Sequence, residues 1–99
     1  MDLKTFRASL QDSAPPPGLA PLLEALWQAG KGNWDAAHSI AQQDGGAEGA
    51  WVHAYLHRVE GDESNAGYWY RRAGKPHCHD NLDHEWTEIA ETLLASAPL

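Results

Sequence analysis

Apolar residues recur at helical spacing in short segments, and glycine or proline interrupts the chain after each of them. This alternation constrains the fold more than any other feature, because glycine and proline breaks end helices. No segment alternates apolar and polar residues as a half-buried strand does. The 99 residues therefore predict an all-α fold, a compact bundle of about six short antiparallel helices in one domain.

The periodicity predicts where each helix begins and ends. Consecutive prolines at residues 13–18 (SAPPPG) predict a stiff connector inside the domain, since proline removes backbone donors. Asn33 is the expected N-cap of the third helix; Asp62 or Ser64 is expected to cap the fifth helix, and Asp80 or Asn81 the sixth. The predicted helices cover residues 1–12, 19–29, 33–43, 47–60, 62–73 and 81–94, and residues 75–80 form a loop.

Apolar stripes predict which side chains are buried. In the two central helices the predicted core face comprises Val52, Leu56, Val59, Ala66, Trp69, Tyr70 and Ala73. In the last helix it comprises Leu82, Trp86, Ile89 and Leu93. The chain also holds five tryptophans, and each can bury roughly 150–250 Å². A few of them could form much of a small core.

The charge of the chain narrows the classes of partner. A formal net charge of -7 repels phosphate backbones and anionic lipids, so we expect neither nucleic acid nor a membrane as a partner. No apolar run is long enough to span a bilayer, and the first thirty residues lack the pattern of a secretory signal. A single cysteine permits no internal disulfide. We therefore expect a cytoplasmic protein.

Two segments of the chain begin in the same way. Residues 32–37 (GNWDAA) and, 29 positions later, residues 61–66 (GDESNA) both read glycine, a polar cap and then a small residue. Residues 50–74 also carry an aromatic-rich ending, AGYWYRRA at 66–73. This central segment resembles a Sel1-like or tetratricopeptide-like helical repeat, and the resemblance extends to 33–74 if the first motif is a diverged copy.

The resemblance implies a helix-turn-helix unit at the centre of the fold. Such families mostly act as protein-interaction scaffolds without chemistry of their own, so the resemblance implies a non-enzymatic protein-protein interaction module. Its partner would be another protein or a second copy in a homodimer. An array needs about three units, and only one or two are visible here, so we expect a closed bundle.

Tyr68, Arg71 and Arg72 form the predicted interaction surface. On a helical wheel Tyr68 points away from Trp69 and Tyr70, and an exposed aromatic beside arginines is typical of an interface hot spot. In the alternative interpretation, Tyr68 packs on the sixth or the first helix, and the arginines pair with acidic residues on a solvated face.

The six histidines suggest a second function, a metal-binding protein or small metalloenzyme. His53 and His57 lie four residues apart on a helix, a spacing that lets both rings face one ion such as zinc, and Glu60 follows one turn later. We expect a further ligand from His77, His79 or His84. The alternative is that the histidines are structural or surface groups, because no His-Glu-x-x-His or Cys-x-x-Cys motif is present.

The remaining candidates are weaker. Cys78, between two histidines, is either a nucleophile activated by an imidazolium or an inert loop cysteine. Arg58, Arg71 and Arg72 could clamp an anion or pair with carboxylates. Six histidines could also carry the net charge from -7 toward -1 near pH 6, which would make the protein respond to pH.

Overall fold

The computed structural model describes residues 1–96, and that part of the chain contains helices and no β-strand. The all-α prediction is therefore confirmed. The helices in chain order are α1 (Leu3–Ala8), α2 (Pro21–Gly30), α3 (Trp34–Ala41), α4 (Ala47–Val59), α5 (Glu63–Ala73) and α6 (Leu82–Ser96), and a 3-10 turn (Ser9–Gln11) follows α1. No helix in the described range is both long and apolar enough to cross a bilayer.

The N-terminal helix packs on the far end of the chain. The carboxylate of Asp2 accepts a hydrogen bond from the backbone amide of Thr5 at 2.8 Å and so caps α1. Phe6 is fully buried and stacks on Trp86 of α6, with the ring centroids 5.5 Å apart. Arg7 adds an ion pair with Asp83 at 3.1 Å. Residues 12–20, which include the predicted connector, are nonhelical and lead from α1 to α2.

Helix α4 lies at the centre of the fold. Residues 49–57 within it are all buried, and it packs against α2, α3, α5 and α6, most extensively against α5. Three tryptophans complete the core, and each indole N–H finds an acceptor, as buried indoles generally do. These donors are Trp27 to Ser9, Trp51 to Glu85 and Trp86 to the carbonyl of Leu26.

The two glycine motifs form the same turn. Gly32 follows the end of α2 with φ 84°, and Gly61 follows the end of α4 with φ 85°; both values lie in the left-handed region that favours glycine. In each turn the amide after the glycine donates to the carbonyl five residues earlier, Asn33 to Gln28 at 2.8 Å and Asp62 to His57 at 2.9 Å. The short turns place α3 beside α2 and α5 beside α4.

Two of the predicted helix caps are confirmed, and the one at Asn33 is wrong. Asp62 caps α5 by accepting from the amide of Asn65 at 3.1 Å, and Asn81 accepts from the amide of His84 at 2.7 Å in the first turn of α6. Asn33 does not cap α3 through its side chain; its amide group instead donates to the Gln28 side chain at 2.9 Å. The Asn33 side chain bonds to the last turn of α2, which lies within its reach, and so it does not cap α3.

Some predicted core residues lie outside the core. Val59 is 41% exposed and Leu82 is 37% exposed, so their assignment to the buried face was wrong. Both occupy a helix terminus, the last residue of α4 and the first of α6, where neighbouring helices no longer cover the stripe. Trp69 and Ala73 are only half-buried. The indole of Trp69 packs on the ring of His53.

Candidate metal centre

Three histidines from two helices form one cluster. His53 and His57 lie one turn apart on α4, and His38 comes from the last turn of α3. One potential ligand nitrogen from each ring can be chosen so that all three lie within 4.8 Å of one another. The centroid of the His53 ring is 4.5 Å from that of His38 and 4.9 Å from that of His57. The sequence predicted two of these residues and missed His38.

A hydrogen bond joins two of the rings directly. The Nε2 atoms of His38 and His53 are 2.9 Å apart, so one ring donates and the other accepts. His53 is 5% exposed and His57 is 6% exposed, whereas His38 is half-buried. The cluster therefore lies at the edge of the core, with His38 on its outer side.

Glu60 holds the third ring. Its carboxylate Oε1 is 2.6 Å from Nδ1 of His57, one turn earlier in the chain. This contact fixes the ring orientation and leaves Nε2 as the nitrogen available to another partner. Asp62 also lies near His57, and a second group of donor atoms within 4.8 Å of one another comprises His57, Glu60 and Asp62. A carboxylate on the outer nitrogen of a histidine is the usual support of a metal-binding imidazole.

Two half-buried tryptophans pack on the cluster face to face. Trp34 stacks on His38 with the centroids 4.7 Å apart, and its N–H donates to the carbonyl of Leu56 at 2.6 Å. Trp69 stacks on His53 at 3.8 Å, with an interplanar angle of 11°. These contacts restrict the imidazole rotamers, so the three potential ligand nitrogens lie close together in the absence of a metal ion.

The environment favours the neutral form of His53 and His38. Burial, together with the neighbouring rings of His38 and His57, lowers the pKa of His53 from 6.5 to about 4. Burial, then the charge of His57, also lowers the pKa of His38, although Glu60 and Asp35 oppose this shift. Neutral imidazole is the form that binds metals, so no proton has to be driven off His53 near neutral pH.

The other predicted metal ligands lie elsewhere. His77 contacts Glu63 at 2.8 Å and stacks on His79, and His84 contacts Asp80 at 3.2 Å. Within residues 1–96, neither group of metal-compatible donor atoms includes any of these three histidines. The loop at 75–80 packs instead near Trp51 and Glu85. The expected convergence of this loop with His53 and His57 is therefore wrong, and His38 takes the place predicted for it.

Sequence analysis also missed a buried carboxylate, Glu85. Its side chain is fully buried and accepts hydrogen bonds from Arg58 at 2.6 Å, Tyr70 at 2.6 Å and Trp51 at 3.1 Å. All of its neighbours donate, so this network is satisfied and stabilises the core. Glu85 lies four residues before Ile89, at the edge of the apolar stripe of α6, and that position could have indicated burial.

Two predicted residues have contacts that bear on their chemistry. Cys78 is half-buried, and burial, partly opposed by the backbone amide of Asp80, raises the pKa of its thiol. A raised thiol pKa disfavours the thiolate that a nucleophile requires. Arg58 donates to Glu85 and to the carbonyl of Asp80, so it pairs within the fold.

The predicted interaction surface is exposed. Tyr68 is 44% exposed, and the guanidinium of Arg72 lies over the rings of both Tyr68 and Trp69, donating to the Tyr68 hydroxyl at 3.1 Å. Arg71 is also exposed. Tyr68 therefore lies outside the core, and α5, which carries it, packs mainly against α4.

Comparison of the chain with protein-family models, with curated proteins and with solved structures returned no match.

Proposed function

We propose that this protein binds a divalent transition-metal ion through His38, His53 and His57. The observation that carries the proposal is the convergence of three imidazoles from two helices, with ligand nitrogens within 4.8 Å of one another. Three histidines are a common protein ligand set for zinc. Imidazole donors favour zinc, copper or nickel over magnesium and calcium, which prefer oxygen.

The size of the cluster suits such an ion. Zinc lies roughly 2.0–2.1 Å from imidazole nitrogens, so two ligands of a tetrahedral ion are about 3.3 Å apart. The Nε2 atoms of His38 and His53 are 2.9 Å apart, and a separation of a few tenths of an ångström would admit the ion between them. The ring that donates this hydrogen bond would carry its proton on Nδ1 instead, so that both Nε2 lone pairs could bind the ion.

Glu60 is the positioning residue of the proposed site. Its contact with Nδ1 of His57, at 2.6 Å, occupies that nitrogen, so the ion would bind His57 through Nε2. A carboxylate in this position increases the basicity of the ligand and offsets part of the positive charge of the ion.

Metal content tests the proposal directly. Protein produced without a histidine tag and dialysed against buffer with one equivalent of zinc chloride should retain one zinc per chain by elemental analysis. His38→Ala and His53→Ala should each abolish stoichiometric retention. Glu60→Gln should retain zinc with an affinity reduced by about tenfold to a hundredfold. His84→Ala is the matched control, since His84 is a histidine outside the cluster, and it should bind zinc like the wild type.

The alternative interpretation, that the histidines serve only to join α3 to α4, predicts a different result. The wild type would then retain no stoichiometric zinc, nickel or copper, while His38→Ala would still lower the unfolding temperature. That pair of results would refute the metal proposal and leave the cluster a structural one.

A protein-interaction module is the second candidate function. The specific observation in its favour is Tyr68, 44% exposed beside Arg72, a composition that interface hot spots share. Self-association through this surface predicts a sedimentation mass above that of a monomer at high concentration, and Tyr68→Ala should reduce that mass. A wild type that sediments as a monomer at all concentrations would argue against the homodimer.

A further inference from the structure

We infer that an ion bound by His38, His53 and His57 keeps one exchangeable coordination position, open to water or to a small monodentate anion. The inference rests on the proposed metal site and concerns what else the ion would bind. It follows from the number of donors, their charge and the side of the cluster that faces solvent.

The protein supplies three ligands to the proposed ion. Among residues 1–96, no fourth histidine, cysteine or carboxylate belongs to the group of donor atoms that His38, His53 and His57 form. Zinc sites with three protein ligands generally complete a tetrahedron with water or substrate, whereas structural sites use four protein ligands. The donor count therefore favours an open site.

Glu60 is one candidate for a fourth ligand, and its geometry argues against that role. Its Oε1 lies 2.6 Å from Nδ1 of His57. The two nitrogens of an imidazole point away from each other, so an ion on Nε2 lies across the ring from this carboxylate. Glu60 would have to give up its contact with His57 to reach the ion.

The charge balance favours an anionic occupant. Three neutral imidazole ligands add no negative charge, and Glu60 offsets only part of the double positive charge of the ion. Two of these rings, His53 and His57, are almost fully buried. A poorly hydrated cation strongly favours a directly bound anion. Hydroxide, azide or another small anion would supply the missing charge.

The cluster has a side through which such a ligand can approach. His53 and His57 face the core from α4, but His38, Trp34 and Trp69 are each half-buried at the outer edge. Solvent therefore reaches the rim formed by these three rings.

Cobalt(II) provides a probe with a visible spectrum that depends on its ligands. The protein loaded with one equivalent of cobalt(II) chloride should show tetrahedral bands, and sodium azide should shift these bands along a saturable curve with one azide per cobalt. Cobalt content after gel filtration must stay unchanged, so that removal of the metal by azide is not mistaken for binding. Glu60→Gln should keep the azide-dependent shift.

The outcomes separate this inference from the proposed function. Stoichiometric cobalt with a spectrum that azide does not change would overturn the open position while the metal site stands. An azide response seen in Glu60→Gln but not in the wild type would also overturn it, because Glu60 would then be the fourth ligand. If cobalt fails to bind, or if His38→Ala retains cobalt with the wild-type spectrum, the metal site itself is wrong.

Discussion

Acidifying the metal-free protein should lower its free energy of unfolding through His53, the most buried ring of the cluster. The rings of His38, from α3, and His57, from the same helix, face it, and Trp69 of α5 covers it. None of these neighbours offers a negative charge to a protonated His53. Burial, together with the two imidazoles, lowers its pKa from 6.5 to about 4.

The sign of the effect follows from the two pKa values. The unfolded chain takes up a proton near pH 6.5, whereas in the folded protein His53 stays neutral until the pH approaches about 4. The contribution to stability is therefore complete above the unfolded pKa, decreases as the pH falls below it and is lost at the folded pKa. Each pKa unit corresponds to about 1.4 kcal/mol, so the whole loss is at most about 3.5 kcal/mol.

Urea unfolding in EDTA, followed by tryptophan fluorescence at successive pH values, measures this loss. His53→Gln removes the titrating group, so the stability of the variant should fall less steeply than that of the wild type between about pH 6.5 and about pH 4. Carboxylates titrate in both proteins, and the difference between the two curves isolates His53. His84→Gln, a change at an exposed ring, should follow the wild-type curve. Parallel wild-type and His53→Gln curves would refute the reasoning.

Two further substitutions test the fold. Gly61→Ala should lower the free energy of unfolding by about 1–2 kcal/mol, measured by thermal or urea unfolding, because Gly61 has φ 85°. The control Gly45→Ala should change it by no more than about 0.5 kcal/mol, since Gly45 lacks a positive φ and a Cβ there meets open space. Equal losses in the two variants would contradict the left-handed turn at Gly61. Glu85→Ala should cost about 3–5 kcal/mol, because it leaves Arg58 half-buried without its carboxylate, and an unchanged midpoint of urea unfolding would show that the network contributes nothing.

Local sequence patterns were sufficient to predict the helices. The apolar spacing of Phe6, Trp27, Trp86 and their neighbours, together with glycine and proline breaks, gave the order and approximate bounds of the elements. Residues 1–12 were the exception, since a short helix there passes into a 3-10 turn. The patterns could not show how far each stripe is covered, because coverage depends on the neighbouring helices. For that reason Val59 and Leu82, at helix termini, were assigned to the core.

Two of the three candidate ligands follow from one helix, and the third follows from packing. His53 and His57 are four residues apart, a spacing that is visible in the sequence and fixed by the helix itself. His38 joins them only because α3 packs on α4, a tertiary contact that spacing along the chain cannot reveal. The local pattern HCH at 77–79 instead suggested a ligand from the loop at 75–80, but this loop contributes no ligand to the cluster.

The fluorescence of Trp34 and Trp69 should respond to an ion at the cluster, because both indoles stack on its imidazoles. Each lies face to face with an imidazole of the cluster, while the other three tryptophans lie in the core. An open-shell ion such as copper(II) at the cluster would quench the fluorescence of these two tryptophans, whereas closed-shell zinc would not. If an ion binds at the cluster, the emission of the unlabelled chain should therefore distinguish copper(II) from zinc, and replacement of Trp34 or Trp69 by phenylalanine should identify the ring that reports it.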